Sequence, residues 1–360
     1  MPVSLAERLR ELIRRAGAIT FHDWMKLALY DPEHGYYQRS DRERWGREGD
    51  YRTSPERSRL FAATFARYFV RFYEELDRPA QWTIVEGGAG DGSFAAGVLQ
   101  TLAIQFPEVF AATRYVVCDV SPDALSRARE RLIEFSDRVE FQDQFTVANG
   151  VYFSNELIDA FPVHRVVKDE HGLSELYVNI DASGRFVWSK GPLSTPRLAE
   201  YSLDLVDGQI AELNLAVETW LRQVVEMLAN GFVITVDYGA EAAELYDAAQ
   251  RPQGTLRGFA QHSFIDDVLA QPGEHDLTTT VNWTQVMTVG KKLGLNVVDF
   301  TSQDKFLLKA GLLEELEYQM STAQTDAEKA TLTTGAREMI LPGGMASNFQ
   351  VLVQRKPGSS

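Results

Sequence analysis

A short apolar run that ends in an acid and a burst of glycine is the feature that most constrains this chain. Residues 82–93 read Trp-Thr-Ile-Val-Glu-Gly-Gly-Ala-Gly-Asp-Gly-Ser, and a helix-like segment follows at 94–102. A strand, a glycine turn and a helix in this order place backbone N–H groups and a helix N-terminus against an anionic ligand group. The alternative is a glycine turn that only lets the helix pack closely on the strand.

The glycine spacing distinguishes between the possible nucleotide ligands. A dinucleotide fingerprint requires Gly-x-Gly-x-x-Gly after the strand, whereas Gly88, Gly90 and Gly92 follow Gly-x-Gly-x-Gly. Glu86 would also direct its negative charge toward a pyrophosphate. S-adenosylmethionine (SAM) has no phosphate, and it offers a carboxylate to the turn amides and an ammonium to Glu86. The pattern therefore favours SAM over NAD or FAD as the cofactor.

The charge balance bears on the class of partner. The chain has 51 acidic and 36 basic residues, a net charge of -15. Nucleic-acid binding requires a basic surface, so we expect no nucleic-acid partner. An acidic surface suits an arginine-rich or lysine-rich protein segment, although solubility alone also explains such a balance.

The single cysteine and the apolar runs constrain the compartment. Cys118 alone excludes an internal disulfide and a multi-cysteine zinc site. No apolar stretch approaches the length of a membrane span, and the N-terminus lacks the apolar core of a signal peptide. We therefore expect a cytoplasmic location for a bacterial chain and the mitochondrial matrix for a eukaryotic one.

From Gln81 onward the hydrophobic pattern alternates between strands and helices. The predicted strands are 83–85, 115–120, 138–142, 151–154, 232–237, 296–300 and 349–354. The predicted helices are 94–102, 123–135, 210–228 and 283–293. This succession predicts an α/β fold with an open, largely parallel sheet and helices on both faces.

The other segments are expected to surround this sheet. Residues 1–77 predict a helical N-terminal cap and lid, and residues 78–360 predict the main domain. Insertions are expected at about 164–200, which contains a hairpin signal around Asp181-Ala182-Ser183-Gly184, at 239–283 and at 303–345, which is predicted to be helical.

Polar residues just after the predicted strands are the candidate ligand contacts, because ligands of such sheets bind beyond the carboxyl ends of the strands. Asp119 is placed to accept hydrogen bonds from ribose hydroxyls. Gln142 and Asp143 could meet the adenine amino group, although a polar turn is an equal alternative. Asn155, Glu156 and Asp159 follow the fourth strand, where the methyl group would be delivered.

The remaining candidates lie in the cap and in the second insertion. Tyr36 and Tyr37 could contact a ligand or could pack the cap onto the main domain. His262 and His275 lack helical metal-ligand spacing, so we expect polar contacts and no metal.

Several sequence blocks together resemble the MidA-like family of SAM-dependent methyltransferases. The blocks cover most of the chain and lie at 35–37, 49–56, 86–92, 155–163, 237–239, 254–257 with His262, and 272–278. The resemblance implies a class I (Rossmann-like) methyltransferase fold and adds Thr53 as a cofactor contact. Mitochondrial members are respiratory complex I assembly factors that methylate an arginine of a complex I subunit, so the resemblance also implies a protein substrate.

Two residues depart from the pattern of that family. Its members usually have Gly-Pro-Gly-Arg-Gly where this chain has Gly88-Ala89-Gly90-Asp91-Gly92, and a glutamate where this chain has Asp119. The second difference keeps an acid for the ribose. The first places a negative charge where the family has a positive one.

The chemistry of methyl transfer assigns roles to the residues after the fourth strand. An arginine acceptor is cationic and must be held so that one nitrogen attacks the methyl group in line. We hypothesise that Glu156 orients the guanidinium, that Asp159 supports it and that Asn155 faces the cofactor. Alternatively, Asn155 and Asp159 only cap the turn.

Two other function classes remain possible from the sequence. A non-catalytic assembly or binding protein could keep the SAM-binding fold, and a thermal shift with SAM followed by a methyl-transfer assay would distinguish it from an enzyme. A nicotinamide oxidoreductase is disfavoured by the glycine spacing. The sequence leaves the oligomeric state open.

Overall fold

The computed structural model describes residues 3–39, 59–142, 146–201, 203–260, 263–341 and 348–358. The sequence candidates Thr53, Asp143 and His262 lie outside the described residues, as does the part of the predicted lid from residue 40 to residue 58.

The strands are numbered in chain order. They are β1 Ile19–Thr20, β2 Trp82–Gly87, β3 Thr113–Cys118, β4 Val139–Phe141, β5 Val147–Asn155, β6 His164–Asp169, β7 Gly172–Ile180, β8 Phe186–Gly191, β9 Ile210–Leu213, β10 Leu228–Ala240, β11 Arg257–Ala260, β12 Ser263–Phe264, β13 Asp276–Thr278, β14 Val281–Asn282, β15 Asn296–Ser302 and β16 Phe349–Lys356.

The α-helices are numbered in the same way. They are α1 Leu5–Ala16, α2 Phe21–Tyr30, α3 Arg59–Glu75, α4 Ser93–Gln105, α5 Pro107–Ala112, α6 Pro122–Arg131, α7 Ala216–Met227, α8 Ala242–Leu245, α9 Trp283–Lys292, α10 Gln303–Ala310, α11 Leu312–Thr322 and α12 Asp326–Ile340. Short 3-10 helices cover Tyr36–Gln38, Ile133–Phe135 and Pro196–Glu200. No described helix has both the length and the apolar character that crossing a membrane requires.

The largest sheet confirms the predicted α/β fold. Its strand order is β15-β16-β10-β5-β2-β3-β4, and β14 pairs with the end of β10. The neighbours from β4 to β10 are parallel, whereas β16 is antiparallel to β10 and β15. The chain runs from β2 outward to β4 and then returns to β5 on the other side of β2. The strand order therefore reverses between β2 and β5, where ligands of such sheets bind.

Helices cover both faces of this sheet. On one face, aromatic rings from α3, α4 and β5 form the core: Phe94 stacks on Phe153 with ring centroids 4.2 Å apart, and Phe65 lies 5.0 Å from Phe153. On the other face, Val224 of α7 and Trp283 of α9 belong to a second buried cluster. Burying one such side chain contributes about 2 kcal/mol or more, so these clusters hold the carboxyl ends of the strands in fixed positions.

The predicted first residue of one helix was wrong. The sequence predicted a helix over 210–228, but Ile210–Leu213 forms β9 and the helix begins at Ala216. Strand β9 pairs antiparallel with β6, with Leu213 opposite His164 and Ile210 opposite Val167. The four-residue segment is too short for its periodicity to distinguish the two structures, and the long-range pairing determines the outcome.

A second sheet joins the N-terminal cap to the first insertion. Strands β1, β7, β6 and β9 lie in this order, and β8 pairs with residues 175–180 of β7; the predicted hairpin is the β7–β8 pair. Helices α1 and α2 pack on this sheet, and Phe21 lies 5.0 Å from the Trp188 ring. Helix α3 instead belongs to the core of the main sheet. The predicted domain boundary at residue 77 stays a prediction.

A third, small sheet lies in the insertion between β10 and β14. Its order is β12-β11-β13, and all of its pairs are antiparallel. Because β14 pairs with the end of β10, this insertion returns to the carboxyl edge of the main sheet.

Candidate active site

The glycine turn connects β2 to α4 at the reversal of strand order. Gly88, Gly90 and Gly92 have φ angles of 70°, 56° and 78°, which glycine adopts readily because it has no Cβ. The amides of Gly88 and Ala89 donate to the carbonyl of Cys118 at 2.9 and 3.2 Å. These two hydrogen bonds hold the turn against the end of β3. They use turn amides that the sequence pattern predicted to bind a ligand carboxylate.

Asp119 follows β3 and meets the same turn. Its Oδ2 accepts the Gly90 amide at 2.9 Å, and its Oδ1 accepts the Ser121 amide at 2.8 Å. Ser121 in turn caps α6. A carboxylate has about four acceptor positions, so these bonds fix its orientation without preventing it from accepting ribose hydroxyls. Gln142, at the end of β4, donates to Glu140 at 3.0 Å.

Glu86 is buried at the end of β2, with 4% of its surface exposed. The Tyr115 hydroxyl donates to its Oε2 at 2.7 Å. Burial raises the pKa of Glu86 to about 8; the Tyr115 bond opposes the rise, and the charges of Asp91 and Asp119 add to it. A group that carries positive charge would favour the ionised form, which suits the predicted contact with an ammonium.

Asp91, which departs from the family pattern, has its own partners. Its Oδ1 accepts the Ser93 amide at 3.0 Å and the Ser93 hydroxyl at 2.6 Å at the start of α4. Arg131 of α6 forms an ion pair with Oδ2 and donates from Nε to the Asp91 carbonyl at 3.0 Å. The negative charge therefore stabilises the helix N-terminus and is balanced by a neighbouring helix.

The loop after β5 lies against the glycine turn. A Cβ added to Gly88 would lie 3.0 Å from Leu157 Cδ1, so the two segments are in contact. Glu156 has a φ of 52°, in the left-handed region, and its amide donates to Val236 of β10 at 2.9 Å. Asn155 Nδ2 donates to Glu156 Oε1 at 2.9 Å. A strained backbone at such a position is a frequent feature of functional sites.

Two buried carboxylates lie close together, one in this loop and one in β10. Asp159 is 5% exposed and Asp237, within β10, is 0% exposed. Asp237 Oδ2 accepts the Ile158 amide at 3.0 Å, which holds the loop against β10. Burial raises the pKa of Asp159 to about 7, with a further rise from the charge of Asp276. Burial and the charges of Asp159 and Glu156 raise the pKa of Asp237 well above its usual value.

The cap and the third sheet contribute side chains to the same place. Asp276 of β13 is buried, and its Oδ1 accepts the Tyr37 hydroxyl at 2.7 Å. The Tyr30 hydroxyl donates to the Ala160 carbonyl at 2.9 Å, and its ring stacks on Tyr37. Gln38 Nε2 donates to the Val120 carbonyl at 2.9 Å, beside Asp119. The segment after α2 thus contacts both the ribose side and the carboxylate side of the site.

Buried polar atoms at this site lack hydrogen-bond partners among the described residues. They are Asn155 Oδ1, Asp159 Oδ1, Tyr238 Oη and Thr278 Oγ1. Buried polar atoms in folded proteins are nearly always paired, so these four atoms, whose contacts within the described residues lack good hydrogen-bond geometry, are candidate ligand contacts. No three His, Cys, Asp or Glu side chains in the described ranges are arranged to hold a metal.

A family model covers most of these elements. The model is described as "Putative S-adenosyl-L-methionine-dependent methyltransferase" and matches residues 64–301, more than half of the chain. The chain belongs to this methyltransferase family. The resemblance to MidA-like methyltransferases is thereby confirmed, and the cofactor of this methyltransferase is SAM.

Solved structures support the same assignment. A Burkholderia thailandensis protein crystallised with S-adenosyl-homocysteine is 32% identical to this methyltransferase, with a TM-score of 0.87 over 99% of this chain and 92% of that chain. A native structure of an uncharacterised protein from the same organism has a TM-score of 0.85 and 31% identity, with 99% and 92% of the two chains covered. The class I fold predicted from the sequence is confirmed.

Curated relatives of this methyltransferase carry a more specific name. Protein arginine methyltransferase NDUFAF7, mitochondrial, of Rattus norvegicus is 26% identical over 94% of this chain and 81% of the relative. The Drosophila melanogaster homolog is 27% identical over 97% of this chain and 84% of the relative.

The hydrogen-bond acceptors of the site fit the donors of SAM. The cofactor has an ammonium and two ribose hydroxyls, all of which donate hydrogen bonds. Acceptors for them lie at the carboxyl ends of three strands: Glu86 at the end of β2, Asp119 after β3 and the unpaired Asn155 Oδ1 at the end of β5. The residue assignments themselves stay predictions.

Sequence reasoning missed Asp237, Tyr238 and Asp276 as individual site residues. Asp237 directly follows the apolar run 232–236, so the rule that selected Glu86 and Asp119 would have found it. Asp276 gives no local signal, because it lies in a long insertion and reaches Asp159 only through the fold.

Proposed function

We propose that this SAM-dependent methyltransferase modifies arginine side chains of a protein. The observation that carries the proposal is the pair of buried carboxylates Asp159 and Asp237. Within the described residues no cation pairs with either carboxylate, and Asp159 Oδ1 makes no hydrogen bond of good geometry. Buried carboxylates without a counter-charge are costly, and a bound cation would relieve that cost.

The geometry favours a guanidinium as that cation. The charge of Asp276 also raises the pKa of Asp159, so these two carboxyl groups lie close to each other. A guanidinium is planar, permanently charged and has five N–H donors, which matches paired carboxylates. The names of the curated relatives add support, because they describe protein arginine methyltransferases.

Roles for individual residues follow from their positions. When bound, SAM would supply the methyl group of its sulfonium, from which an attacking nitrogen displaces the neutral thioether. Asp159 Oδ1 would accept a guanidinium N–H and then the proton that the methylated nitrogen loses, a role suited to a carboxyl whose pKa burial raises to about 7. Glu156, held by Asn155 next to the glycine turn, would orient the attacking nitrogen.

The partner in this proposal is an arginine-containing protein. A respiratory complex subunit is the acceptor implied by the family resemblance, and the cytoplasm stays the predicted compartment of a bacterial chain. The net charge of -15 favours a basic acceptor segment over an acidic one.

Replacement of Asp159 tests the proposal. We expect Asp159→Asn to lower labelled-methyl transfer from SAM by about 100-fold or more, since it removes the charge that holds the guanidinium. The acceptor is the protein fraction of a lysate from cells that lack the gene, and acid hydrolysis identifies the labelled amino acid. We expect methylarginine.

Two controls separate the acceptor site from the fold and the cofactor. Asp159→Asn should bind S-adenosyl-homocysteine as the parent does, and Asp266→Asn, an exposed acid in the same insertion, should transfer methyl groups at the parental rate. Label on lysine, or parental transfer by Asp159→Asn, would rule the proposal out.

A further inference from the structure

Two buried hydroxyls at the acceptor side of the site lie close to the carboxylates. Tyr238 Oη and Thr278 Oγ1 are buried and have no hydrogen-bond partner of good geometry among the described residues. Thr278 is only 4% exposed. Both lie near Asp159: the Asp159 amide donates to Asp237, which precedes Tyr238, at 3.4 Å, and the Thr279 amide, next to Thr278, donates to the Asp159 carbonyl at 2.9 Å. The Tyr238 hydroxyl interacts with both Asp159 and Thr278, but without good hydrogen-bond geometry. An unpaired buried hydroxyl destabilises a fold, so each needs an explanation.

The backbone and the neighbouring rings fix these hydroxyls in place. The Tyr238 amide donates to Asp237 Oδ1 at 2.9 Å, and the Tyr238 ring contacts Phe349 edge-on at 5.6 Å. The Arg257 guanidinium lies 5.8 Å from the centre of the same ring. Thr278 is paired with Arg257 across β13 and β11. Two separate elements thus hold the hydroxyls beside one carboxylate.

The number of donors on a possible acceptor distinguishes arginine from lysine. A guanidinium has five N–H donors in one plane, whereas an ammonium has three donors around one atom. Carboxylate oxygens of Asp159 and Asp276 can take some guanidinium N–H groups, and the others need acceptors nearby. Tyr238 Oη could accept one of them and donate its own proton to Asp159 Oδ1, which would satisfy both unpaired atoms.

We infer that Tyr238 and Thr278 are acceptor-binding residues that select a guanidinium over an ammonium by accepting its additional N–H groups. The inference rests on the proposed function. It assigns the choice between arginine and lysine to two neutral hydroxyls, whereas the carboxylates attract either cation.

Binding of small probes to the full chain tests the inference. The probes are Nα-acetyl-L-arginine amide and Nα-acetyl-L-lysine amide, titrated by calorimetry into protein saturated with S-adenosyl-homocysteine. Tyr238→Phe and Thr278→Val each remove one hydroxyl and keep the shape of the side chain. We expect each to weaken arginine-amide binding by about tenfold and to leave lysine-amide binding unchanged.

The melting temperature provides the second readout. Because neither hydroxyl makes a hydrogen bond of good geometry, Tyr238→Phe and Thr278→Val should melt at the parental temperature or higher. Tyr177→Phe is the matched control: its hydroxyl donates to the Pro192 carbonyl at 2.8 Å, so its loss should leave both probe affinities unchanged.

Three outcomes would overturn the inference. Parental arginine-amide binding by both variants would show that the hydroxyls do not contact the acceptor, while the proposed function would stand. A fall of several degrees in the melting temperature of both variants would assign the hydroxyls to the fold. A parent protein that binds both amides equally, or neither, would contradict the proposed function as well.

Discussion

At the scale of single residues, Asp91 stabilises the end of the glycine turn. This acid stands just before α4, where it binds Ser93 and pairs with Arg131. An acid at a helix N-terminus interacts favourably with the backbone N–H groups. The negative charge of Asp91 is therefore balanced locally, and Glu86 and Asp119 can keep the positions that the sequence predicted for them.

The buried acid Glu86 makes the stability of the protein depend on pH. Its pKa is about 8 in the folded protein and 4.5 when unfolded, so the folded protein binds the proton more tightly. The free energy of unfolding should therefore fall as pH rises from about 4.5 to 8, by up to about 5 kcal/mol from this group. Glu86→Gln should remove that part of the decrease.

Urea unfolding at pH 5 and pH 8 measures this effect. We expect Glu86→Gln to match the parent at pH 5 and to be the more stable protein at pH 8. Glu140→Gln, at a half-exposed acid that pairs with Arg114, is the control and should follow the parent at both pH values. A Glu86→Gln protein with the parental pH dependence would disprove the raised pKa.

At the scale of elements, local patterns predict the strands and helices that are long and strongly periodic. The strand–turn–helix unit around the glycines, the β7–β8 hairpin and the closing strands β15 and β16 all lie where the sequence predicted them. The beginning of the predicted helix at 210 was wrong, because pairing with β6 outweighs local preference in a four-residue segment.

The connection from β2 to α4 depends on Gly92. Its φ of 78° is unfavourable for other residues, and a Cβ there would lie 3.0 Å from the Cβ and 3.1 Å from the Cα of Ala128 in α6. We expect Gly92→Ala to lower the free energy of unfolding by about 2–3 kcal/mol and to weaken binding of S-adenosyl-homocysteine.

Gly294→Ala is the matched control for backbone strain. Gly294 has a φ of 86° with no atom within 4 Å of an added Cβ, so its replacement should cost only about 1 kcal/mol and leave ligand binding unchanged. Urea unfolding and calorimetric titration compare the two variants. Equal costs and equal affinities would mean that the contact of the turn with α6 does not shape the site.

At the scale of the whole molecule, the cofactor side of the site could be predicted from the sequence, whereas the acceptor side could not be assembled. Glu86, Asp119 and Asn155 each lie at the carboxyl end of a strand of one sheet, so they meet at one edge. Asp276 and Thr278 lie in an insertion, and Tyr30 and Tyr37 lie in the cap. Only the packing of the cap and the third sheet on the main sheet brings these residues to Asp159.

Arginine methylation in cells is the central claim, and quantitative mass spectrometry tests it most directly. Methylated residues are mapped in cells of the organism that encodes this protein, after deletion of its gene. The same deletion cells are then complemented with the parental or the Asp159→Asn sequence and mapped again. We expect one or a few arginine sites to be methylated only with the parental sequence. Methylation of another residue type, or equal restoration by Asp159→Asn, would contradict the claim.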